Sequence, residues 1–439
     1  MPVPTARLPV AVVGAGPVGL AAAAHLLERG LVPLVLEAGD QPGANIARWR
    51  HVRLFTPWCL ALDPAALRLL ATTGWTPPDP DALPTGAELL DGYLRPLAAT
   101  PALAAHLRLG STVVGIARQD LDKVRTPPGR DRLPFVVRVR AHDGSQHDLA
   151  ASAVIDASGT WTQPNPLGAN GLPALGERAA TARGRVAVGL PDVLGADSDR
   201  FAGRRVLVVG AGHSAATSLL ALAELRRRAP GTQILWAVRS ATPRPLVGKG
   251  SARADELSAR GQLAADLRAL VDAGQVELVS GFRIRALEPH PHGVTVVGHG
   301  PAGPRHVHAE QIVNATGFRP DHAIAQELRL ALDPALESVA ALAPLIDPNV
   351  HTCGTVPAHG ERQLAHPDRG YYIAGMKSYG RAPTFLLATG YEQVRSVAAA
   401  LAGDRTVAAV PPGPPTARFC RVTHELLHGA GARSAVPGR

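Results

Sequence analysis

Two glycine-rich stretches constrain the fold more than any other feature of the sequence. Residues 10–19 read VAVVGAGPVG, and residues 206–215 read VLVVGAGHSA. In each stretch an apolar run typical of a buried parallel strand enters a glycine-rich turn, and a segment of helical composition follows. This order of strand, turn and helix is the phosphate-binding half of a dinucleotide-binding βαβ unit. The sequence therefore predicts two Rossmann-like α/β units.

The residue types of the first stretch fit the needs of a bound dinucleotide. Gly14 permits a tight turn, and Gly16, which precedes Pro17, has no side chain to block a pyrophosphate. Gly19 lets the helix and the strand pack closely. The N-terminus of the helix offers unpaired N–H groups and a partial positive charge to phosphates.

The segment after this turn completes the βαβ unit. A helix is predicted over residues 20–29 and stops at Gly30, and a strand over residues 31–36 ends in Glu37. An acid at this point accepts hydrogen bonds from a ribose. Glu37 is therefore predicted to bind the first dinucleotide.

The second stretch has a GxGxxA form and a different residue after its second strand. A helix is predicted to residue 228, and a strand over residues 233–238 ends in Arg239. An acid there favours the free ribose hydroxyl of NAD(H), whereas an arginine pairs with the 2′-phosphate of NADP(H). We therefore expect NADP(H) in this unit, and the alternative is that Arg239 is an ordinary solvated arginine. The predicted contacts are Gly210, Gly212, His213, Ser214 and Arg239.

Two dinucleotide-binding units in one chain suggest a flavin and a nicotinamide brought face to face, so that the nicotinamide reduces the flavin by hydride transfer. A duplicated NAD site without flavin is the less economical alternative. Two further stretches, AVIDASGT at 153–160 and QIVNATGF at 311–318, each turn from an apolar strand through small residues that let a backbone approach a cofactor. The predicted contacts in these turns are Ser158, Gly159, Thr316 and Gly317.

The order GAGPVG, Glu37, ASG, GAGHSA and NATG over residues 8–403 resembles the two-dinucleotide-binding-domain flavoproteins. Within them the sequence looks most like the class B flavin-dependent monooxygenases, including a subgroup linked to arsenic-resistance operons. The stretch ARWRHVRLFTPW at 47–58 is similar to their flavin-proximal segment. The stretch ASGTWTQPNPLG at 157–168 resembles their crossover between domains.

The resemblance implies FAD in the first unit and NADPH in the second. It places Gly14, Gly16, Gly19 and Glu37 at the adenosine diphosphate of FAD, and Arg48, Trp49 and Thr56 near the flavin. A helix predicted over 384–401 would point its N-terminus at the flavin, with Thr384 as a contact. No side chain need act as a nucleophile, because the cofactor carries the chemistry. The candidates for a direct catalytic contact are His51, Arg53, Tyr379 and Arg381.

The expected activity is a monooxygenase reaction in which NADPH and O₂ form a C4a-peroxyflavin that oxygenates a small soft nucleophile (N, S or As) or a carbonyl.

The sequence departs from the family pattern at two places that bear on this activity. Residues 171–203 contain no histidine, although the monooxygenase fingerprint carries one there. In the stretch Ala374-Gly375-Met376-Lys377, Met376 stands where disulfide reductases carry Asp, and this, with the absence of a CxxC motif, disfavours the reductase branch. Two alternatives therefore stay open: a flavin reductase or oxidase that inserts no oxygen, and a non-catalytic nucleotide-binding protein.

Composition excludes other classes of protein. The net charge is +9, but only three of the 45 basic residues are lysines and the arginines are scattered, so nucleic-acid binding is not expected. The N-terminus lacks the pattern of a secretory signal, and the apolar residues 8–24 contain glycines and prolines that fit a strand and turn better than a membrane span. We expect a cytoplasmic protein with no membrane partner, and a homodimer is a further expectation.

The three cysteines lie far apart, so no disulfide and no redox dithiol is predicted. We expect these cysteines to be buried and inert. The alternative is that Cys59 and Cys353 come together as a thiol pair that binds a soft trivalent arsenical. No metal site is predicted. The histidines considered for one are His290, His292, His306 and His308 in a hairpin, and His351, His359 and His366 near Cys353.

The predicted domain organisation places the NADPH-binding domain inside the FAD-binding domain. The FAD-binding domain takes residues 1–165 and 310–404, and the NADPH-binding domain takes residues 195–309, with 166–194 as a crossover. Residues 405–439 are predicted to be a linker (PPGPP at 411–415) and a tail with one helix over 418–427.

Overall fold

Strands of the computed structural model form four sheets within the described residues, which are 8–241, 258–351, 356–409 and 415–431. The strands are β1 (Val10–Val13), β2 (Pro33–Leu36), β3 (Leu107–Arg108), β4 (Thr112–Arg118), β5 (Phe135–Arg140), β6 (Gln146–Ala151), β7 (Ala153–Asp156), β8 (Val186–Val188), β9 (Arg205–Val209), β10 (Gln233–Ala237), β11 (Glu277–Val279), β12 (Arg283–His290), β13 (Gly293–Gly300), β14 (Gly303–Ala309), β15 (Gln311–Asn314) and β16 (Tyr371–Ile373).

The helices are α1 (Pro17–Leu27), α2 (Ala44–Ala47), α3 (Trp58–Ala61), α4 (Pro64–Leu70), α5 (Gly86–Leu89), α6 (Arg95–Ala98), α7 (Pro101–Ala104), α8 (Glu177–Ala182), α9 (Ser198–Phe201), α10 (His213–Arg228), α11 (Ser258–Asp272), α12 (Ala343–Ile346), α13 (Glu361–Leu364), α14 (Leu387–Leu401), α15 (Arg405–Ala408) and α16 (Pro415–Gly431). None of the helices in the described ranges has the length and apolar character needed to cross a membrane.

Two five-stranded parallel sheets repeat one topology. The first has the order β3-β2-β1-β7-β16 and the second has the order β11-β10-β9-β15-β8. In each, the strand that enters a glycine-rich turn, β1 or β9, is central and lies between the next strand in the chain and the strand that ends in ASG or ATG. A three-stranded antiparallel sheet, β4-β5-β6 or β12-β13-β14, precedes the ASG or ATG strand. The predicted fold class, two Rossmann-like units with the second inserted in the first, is confirmed.

The chain divides into unit 1, residues 1–161 and 319–439, and unit 2, residues 162–318. The predicted boundaries at 165, 195 and 310 differ from this division. The crossover at 166–194 belongs to unit 2, because β8 forms the edge strand of its sheet. Residues 310–318, predicted for the FAD-binding domain, also belong to unit 2, since β15 pairs with β9 in parallel register.

The sheet of unit 2 is buried on both faces. Leu207, Leu235 and Ile312 face one apolar core, and their neighbours Val208 and Trp236 face another that α10 covers. This explains why the strands are continuous apolar runs instead of alternating ones.

Helix α1 is buried over almost its whole length, and Ala21–Ala24 are inaccessible to solvent. It packs against α14 and α4 as well as against its own sheet. A helix covered on several sides needs no polar face, and this accounts for the apolar composition of residues 8–24.

The C-terminal tail is a packed part of unit 1. A helix was predicted over residues 418–427, and α16 spans Pro415–Gly431. It packs against α3, α4 and α14, with Phe419 and Thr423 buried. The predicted helix of the tail is present and longer than predicted, and its apolar side packs into the core of unit 1. Residues 410–414 of the predicted linker lie outside the described residues.

Candidate functional site

The first glycine-rich turn forms an open cradle at the carboxyl end of β1. Gly14 has a φ of +96°, and a Cβ at Gly19 would lie 1.9 Å from the Gly14 carbonyl oxygen, so neither position accepts a side chain without displacement. A Cβ at Gly16, in contrast, would meet no atom within 4 Å. Gly16 is also the N-cap of α1, which has no side-chain cap, so the amides of the first helical turn face the space at Gly16.

Glu37 closes one side of this cradle. Its carboxylate accepts hydrogen bonds from the Ala15 amide at 2.7 Å and from the Gly39 amide at 2.8 Å. Each carboxylate oxygen has a further lone pair, so the group can still accept a hydrogen bond from a ribose hydroxyl. The position of Glu37 fits its predicted role.

The ASG segment after β7 approaches the cradle closely. The Cβ that Gly14 lacks would lie 3.0 Å from the carbonyl oxygen of Ala157. Ser158 is fixed by Asp156, whose carboxylate accepts hydrogen bonds from the Ser158 amide at 3.1 Å and from its hydroxyl at 2.6 Å. The structure therefore brings the predicted residues Ser158 and Gly159 to the same edge of the sheet as Gly14.

The second glycine-rich turn repeats these features in unit 2. Gly210 has a φ of +140°, and its missing Cβ would lie 2.2 Å from the Ala315 carbonyl oxygen. A Cβ at Gly212, the N-cap of α10, would meet nothing within 4 Å. His213 and Ser214 form the first turn of α10 and are half-buried. The buried indole of Trp236 donates a hydrogen bond of 2.7 Å to the Gly210 carbonyl and so fixes the turn.

Asn314 takes the place in unit 2 that Asp156 takes in unit 1. Its Oδ1 accepts hydrogen bonds from the Thr316 amide at 3.2 Å and from the Thr316 hydroxyl at 2.7 Å. The Asn165 side chain donates to the Thr316 carbonyl at 3.2 Å, and Gly317 is exposed beside it. The buried Oδ1 of Asn165 has no hydrogen-bond partner within the described ranges, so an unsatisfied acceptor lies next to this cradle.

Arg239 follows β10, as the sequence predicts. It is exposed, and its guanidinium donates a hydrogen bond to the Ala169 carbonyl at 3.3 Å. A single weak contact leaves most of its five N–H donors available to a phosphate. The structure places Arg239 where the second strand of the βαβ unit ends, and its binding role remains a prediction.

A buried charged network adjoins the first cradle, and the sequence analysis missed it. The Lys377 ammonium donates to the Asp156 carboxylate at 2.6 Å and to the Ser158 hydroxyl at 3.1 Å. The hydroxyl of Tyr371 donates to the same carboxylate at 3.0 Å. Lys377 and Asp156 are 2% and 0% exposed. The signal in the sequence is Lys377, a basic residue at the end of the otherwise uncharged stretch YYIAGMK at 371–377.

Electrostatics of this network follow from its burial. Burial alone raises the pKa of Asp156, but the charge of Lys377 and the hydrogen bonds from Lys377 and Ser158 outweigh it, so the pKa lies below its usual value. Burial and the neighbouring Asp156 carboxylate raise the pKa of Tyr371 well above its usual value. Asp156 is therefore an anion and Tyr371 a neutral donor at physiological pH.

The predicted flavin-proximal segment continues from α2 into α3. Arg48 is exposed, Trp49 is half-buried and Thr56 is buried. Of the catalytic candidates there, His51 is exposed, and Arg53 donates a hydrogen bond to the Leu83 carbonyl. These roles remain predictions.

Tyr379, Arg381 and Thr384 precede α14. The Tyr379 ring is fully buried and packs edge-on against Phe385 at 5.3 Å. Arg381 is exposed and lies 3.9 Å from the Glu337 carboxylate. The predicted helix over 384–401 begins only at Leu387, because residues before it fold back and place the Phe385 ring against Gly390. Thr384 therefore lies outside the first turn of α14.

The prediction that the cysteines form no pair is wrong for two of them. A disulfide joins Cys59 on α3 to Cys420 on α16, with 4.7 Å between their Cα atoms. The positions are distant in sequence, so no local spacing announces the bond. Cys353, considered for Cys59 only as an alternative partner, lies outside the described residues.

Four of the histidines considered as metal ligands contact other residues. The rings of His290 and His308 stack with 5.0 Å between their centres. Burial lowers the pKa of His308, and the charge of the neighbouring His290 lowers it further. The Ala331 amide donates a hydrogen bond to His366, and burial lowers the pKa of His366 to about 4. The His359 ring forms a hydrogen bond of 2.9 Å with the Gln393 side chain. His359 and His366 thus serve the packing of unit 1. The remaining members of the two groups are His292, His306 and His351.

Comparisons with known proteins agree with this geometry. Residues 9–75, which contain the first cradle, match the family model described as FAD dependent oxidoreductase. No curated protein matches the chain. A bacillithiol disulfide reductase from Bacillus cereus has a similar structure, with a TM-score of 0.65 and 18% identity over 90% of this chain and 99% of that chain.

Two hydroxylating enzymes are also similar in structure. The FAD-bound cadaverine monooxygenase of desferrioxamine biosynthesis from Erwinia amylovora has a TM-score of 0.63 and 17% identity over 93% of this chain and 97% of that chain. The ornithine N-hydroxylase from Kutzneria sp. 744, solved with reduced FAD, NADP⁺ and L-orn, has a TM-score of 0.55 and 15% identity over 98% of this chain and 100% of that chain. The chain therefore has the fold of the two-dinucleotide-binding-domain FAD enzymes, a fold that reductases and monooxygenases share.

We predict that Lys377→Met destabilises the protein by about 3–5 kcal/mol, because it leaves the Asp156 carboxylate buried without its countercharge. Urea unfolding at pH 7 measures the loss. The double variant Asp156→Asn, Lys377→Met removes both charges and is expected to lose clearly less than the sum of the single variants. Additive losses would show that the two groups are not coupled.

Proposed function

We propose that the protein is an FAD- and NADPH-dependent oxidoreductase, with FAD in unit 1 and NADPH in unit 2. The observation that carries this proposal is the repeated cradle: a central strand, an open glycine at the helix N-cap, and a small-residue turn against the first glycine, in both units. The family match over the first cradle supports FAD there. The exposed Arg239 supports a dinucleotide with a 2′-phosphate in unit 2, and the unsatisfied Asn165 Oδ1 would accept a hydrogen bond from a hydroxyl or amide group of that dinucleotide.

In unit 1, the open space at Gly16 and the amides of the first turn of α1 would hold the pyrophosphate of FAD, and Glu37 would accept the ribose hydroxyls. Lys377 and Asp156 would place a buried ion pair beside this cradle, with the Ser158 hydroxyl bonded to both. FAD, when bound, supplies hydride acceptance from NADPH and transfer of electrons to an acceptor.

We infer that the acceptor is O₂ and that the reaction is a monooxygenation of a small soft nucleophile (N, S or As) or a carbonyl. The sequence resemblance and the similarity of the fold to N-hydroxylating enzymes support this reaction. Met376 supports it further, since an uncharged residue stands where reductases carry an acid at the flavin ribityl chain.

The Cys59–Cys420 disulfide favours a second candidate, a reductase that passes electrons from NADPH through FAD to a disulfide. The structural similarity to a bacillithiol disulfide reductase is consistent with it. The two candidates differ in what happens to the electrons when O₂ is absent, and this difference can be measured.

We predict that NADPH reduces the flavin under anaerobic conditions while the thiol count of the denatured protein stays unchanged. The reason is that the disulfide is not the acceptor, so the electrons stay on the flavin until O₂ is added. Oxygenation of an amine, thiol or trivalent arsenical by the reduced protein on mixing with O₂ would support the monooxygenase. Two new thiols per chain, absent in Cys59→Ser, would establish the reductase instead. Stoichiometric hydrogen peroxide with every candidate substrate would contradict oxygen insertion.

We predict that Gly16→Val yields folded protein without FAD, whereas the matched variant Gly212→Val keeps FAD but is no longer reduced by NADPH. Both positions have ordinary φ angles of −76° and −98° and open surroundings, so valine fits the protein and collides only with a bound pyrophosphate. Flavin absorbance per chain and anaerobic reduction rates measure the two effects. Full FAD occupancy in Gly16→Val would contradict the assignment of the first cradle.

We predict that Arg239→Ala lowers the preference for NADPH over NADH by about tenfold to a hundredfold, since a charge-assisted hydrogen bond contributes about 1.5–3 kcal/mol. The flavin reduction rate as a function of each nucleotide's concentration measures it. Arg283→Ala, which removes another exposed arginine of unit 2, serves as the control and should change neither value. Equal losses with both nucleotides would make Arg239 a structural residue.

A further inference from the structure

The Cys59–Cys420 disulfide lies beside Asp81 and His424, two side chains of types that commonly ligate metals. His424 follows Cys420 by one helical turn on α16, so both side chains lie on the same side of this helix. Its Nε2 is 3.3 Å from Oδ1 of Asp81. The Cys59 Sγ, an Asp81 carboxylate oxygen and a His424 ring nitrogen all lie within 4.8 Å of one another.

The backbone around this cluster is well fixed. The Cys59 amide donates to the Pro80 carbonyl at 2.8 Å, and the Trp58 amide donates to the Ala82 carbonyl at 3.0 Å, so the loop that carries Asp81 is held against α3. The Thr423 hydroxyl donates to the Cys59 carbonyl at 3.1 Å and holds α16 in place. These hydrogen bonds do not involve the disulfide, and they keep the cluster together when it is reduced.

Burial within the cluster is graded. Cys59 is 2% exposed, whereas the side chains of His424 and Asp81 are 32% and 76% exposed. A metal ion can therefore approach from the side of Asp81 while the cysteine sulfur stays in a protected position. This arrangement leaves an entry path on the side of Asp81.

We propose that reduction of the Cys59–Cys420 disulfide creates a Zn²⁺ site with the ligands Cys59, Cys420, His424 and Asp81. The disulfide accepts two electrons and two protons from a dithiol, which itself becomes a disulfide, and two thiols result. Binding of Zn²⁺ then releases both thiol protons, because only the thiolates coordinate. Two sulfurs, one imidazole nitrogen and one carboxylate oxygen form a set of four ligands that suits tetrahedral Zn²⁺.

The same geometry makes the disulfide and the metal mutually exclusive. Zn–S bonds of about 2.3 Å at tetrahedral angles require sulfurs about 3.8 Å apart, which a disulfide cannot provide. The bonded sulfurs also carry no negative charge. The oxidised state therefore offers only His424 and Asp81, and the site senses the thiol–disulfide state of its surroundings.

Co²⁺, a spectroscopic probe for tetrahedral Zn²⁺ sites, tests the proposal on the full chain. We expect reduced protein, freed of reductant under argon, to bind one Co²⁺ with a thiolate-to-metal charge-transfer band and visible bands at longer wavelengths than flavin absorbs. The oxidised protein is expected to show neither. Zn²⁺ should displace the Co²⁺ and abolish the bands.

Variants separate this site from other thiols. Cys59→Ser and Cys420→Ser should each lose the charge-transfer intensity of one thiolate and bind Co²⁺ more weakly, and His424→Gln should also bind it more weakly. Cys353→Ser, the matched control, should bind as the original chain does. Native mass spectrometry with Zn²⁺ checks the stoichiometry on folded protein. Equal Co²⁺ spectra of reduced and oxidised protein, or full binding by Cys59→Ser, would overturn the proposal.

Discussion

Close approach of two backbones at the first glycine of each cradle is the constraint on which both units depend. A Cβ at Gly210 would lie 2.2 Å from the Ala315 carbonyl oxygen, and a Cβ at Gly14 would lie 3.0 Å from the Ala157 carbonyl oxygen. Because the ASG and ATG strands pair in parallel with the central strands, their turns emerge at the same sheet edge as the glycines. A side chain at either glycine would separate these strands and widen the cradle.

The two units share a backbone plan but differ in the chemistry behind the cradle. Asp156 in unit 1 and Asn314 in unit 2 each fix a following hydroxyl residue with the same pair of hydrogen bonds. Asp156 also binds the buried Lys377, whereas Asn314 donates to the Asn165 carbonyl. Unit 1 therefore has a charged pair in a dry site behind its cradle, whereas unit 2 has neutral amide hydrogen bonds at the same place.

The Cys59–Cys420 disulfide gives the chain a thiol–disulfide couple of its own. A flavoprotein without such a couple passes its electrons to O₂ or to a bound substrate, whereas this chain also holds a disulfide that can accept them. The structural neighbours include both reductases and monooxygenases, because one fold positions two dinucleotides for either reaction. The choice between them rests on the residues near the flavin and on the measured fate of the electrons.

Local patterns in the sequence determined the repeated units. Continuous apolar runs, glycines and the acid at Glu37 depend on neighbours only a few residues away, and they predicted the central strands, both glycine-rich turns and the helices that follow. The tertiary structure decided what joins distant segments: Lys377 reaches Asp156, Cys420 reaches Cys59, and β15 pairs with β9 in unit 2 instead of unit 1. No local spacing encodes such contacts, because their partners are brought together only when the sheets and helices pack.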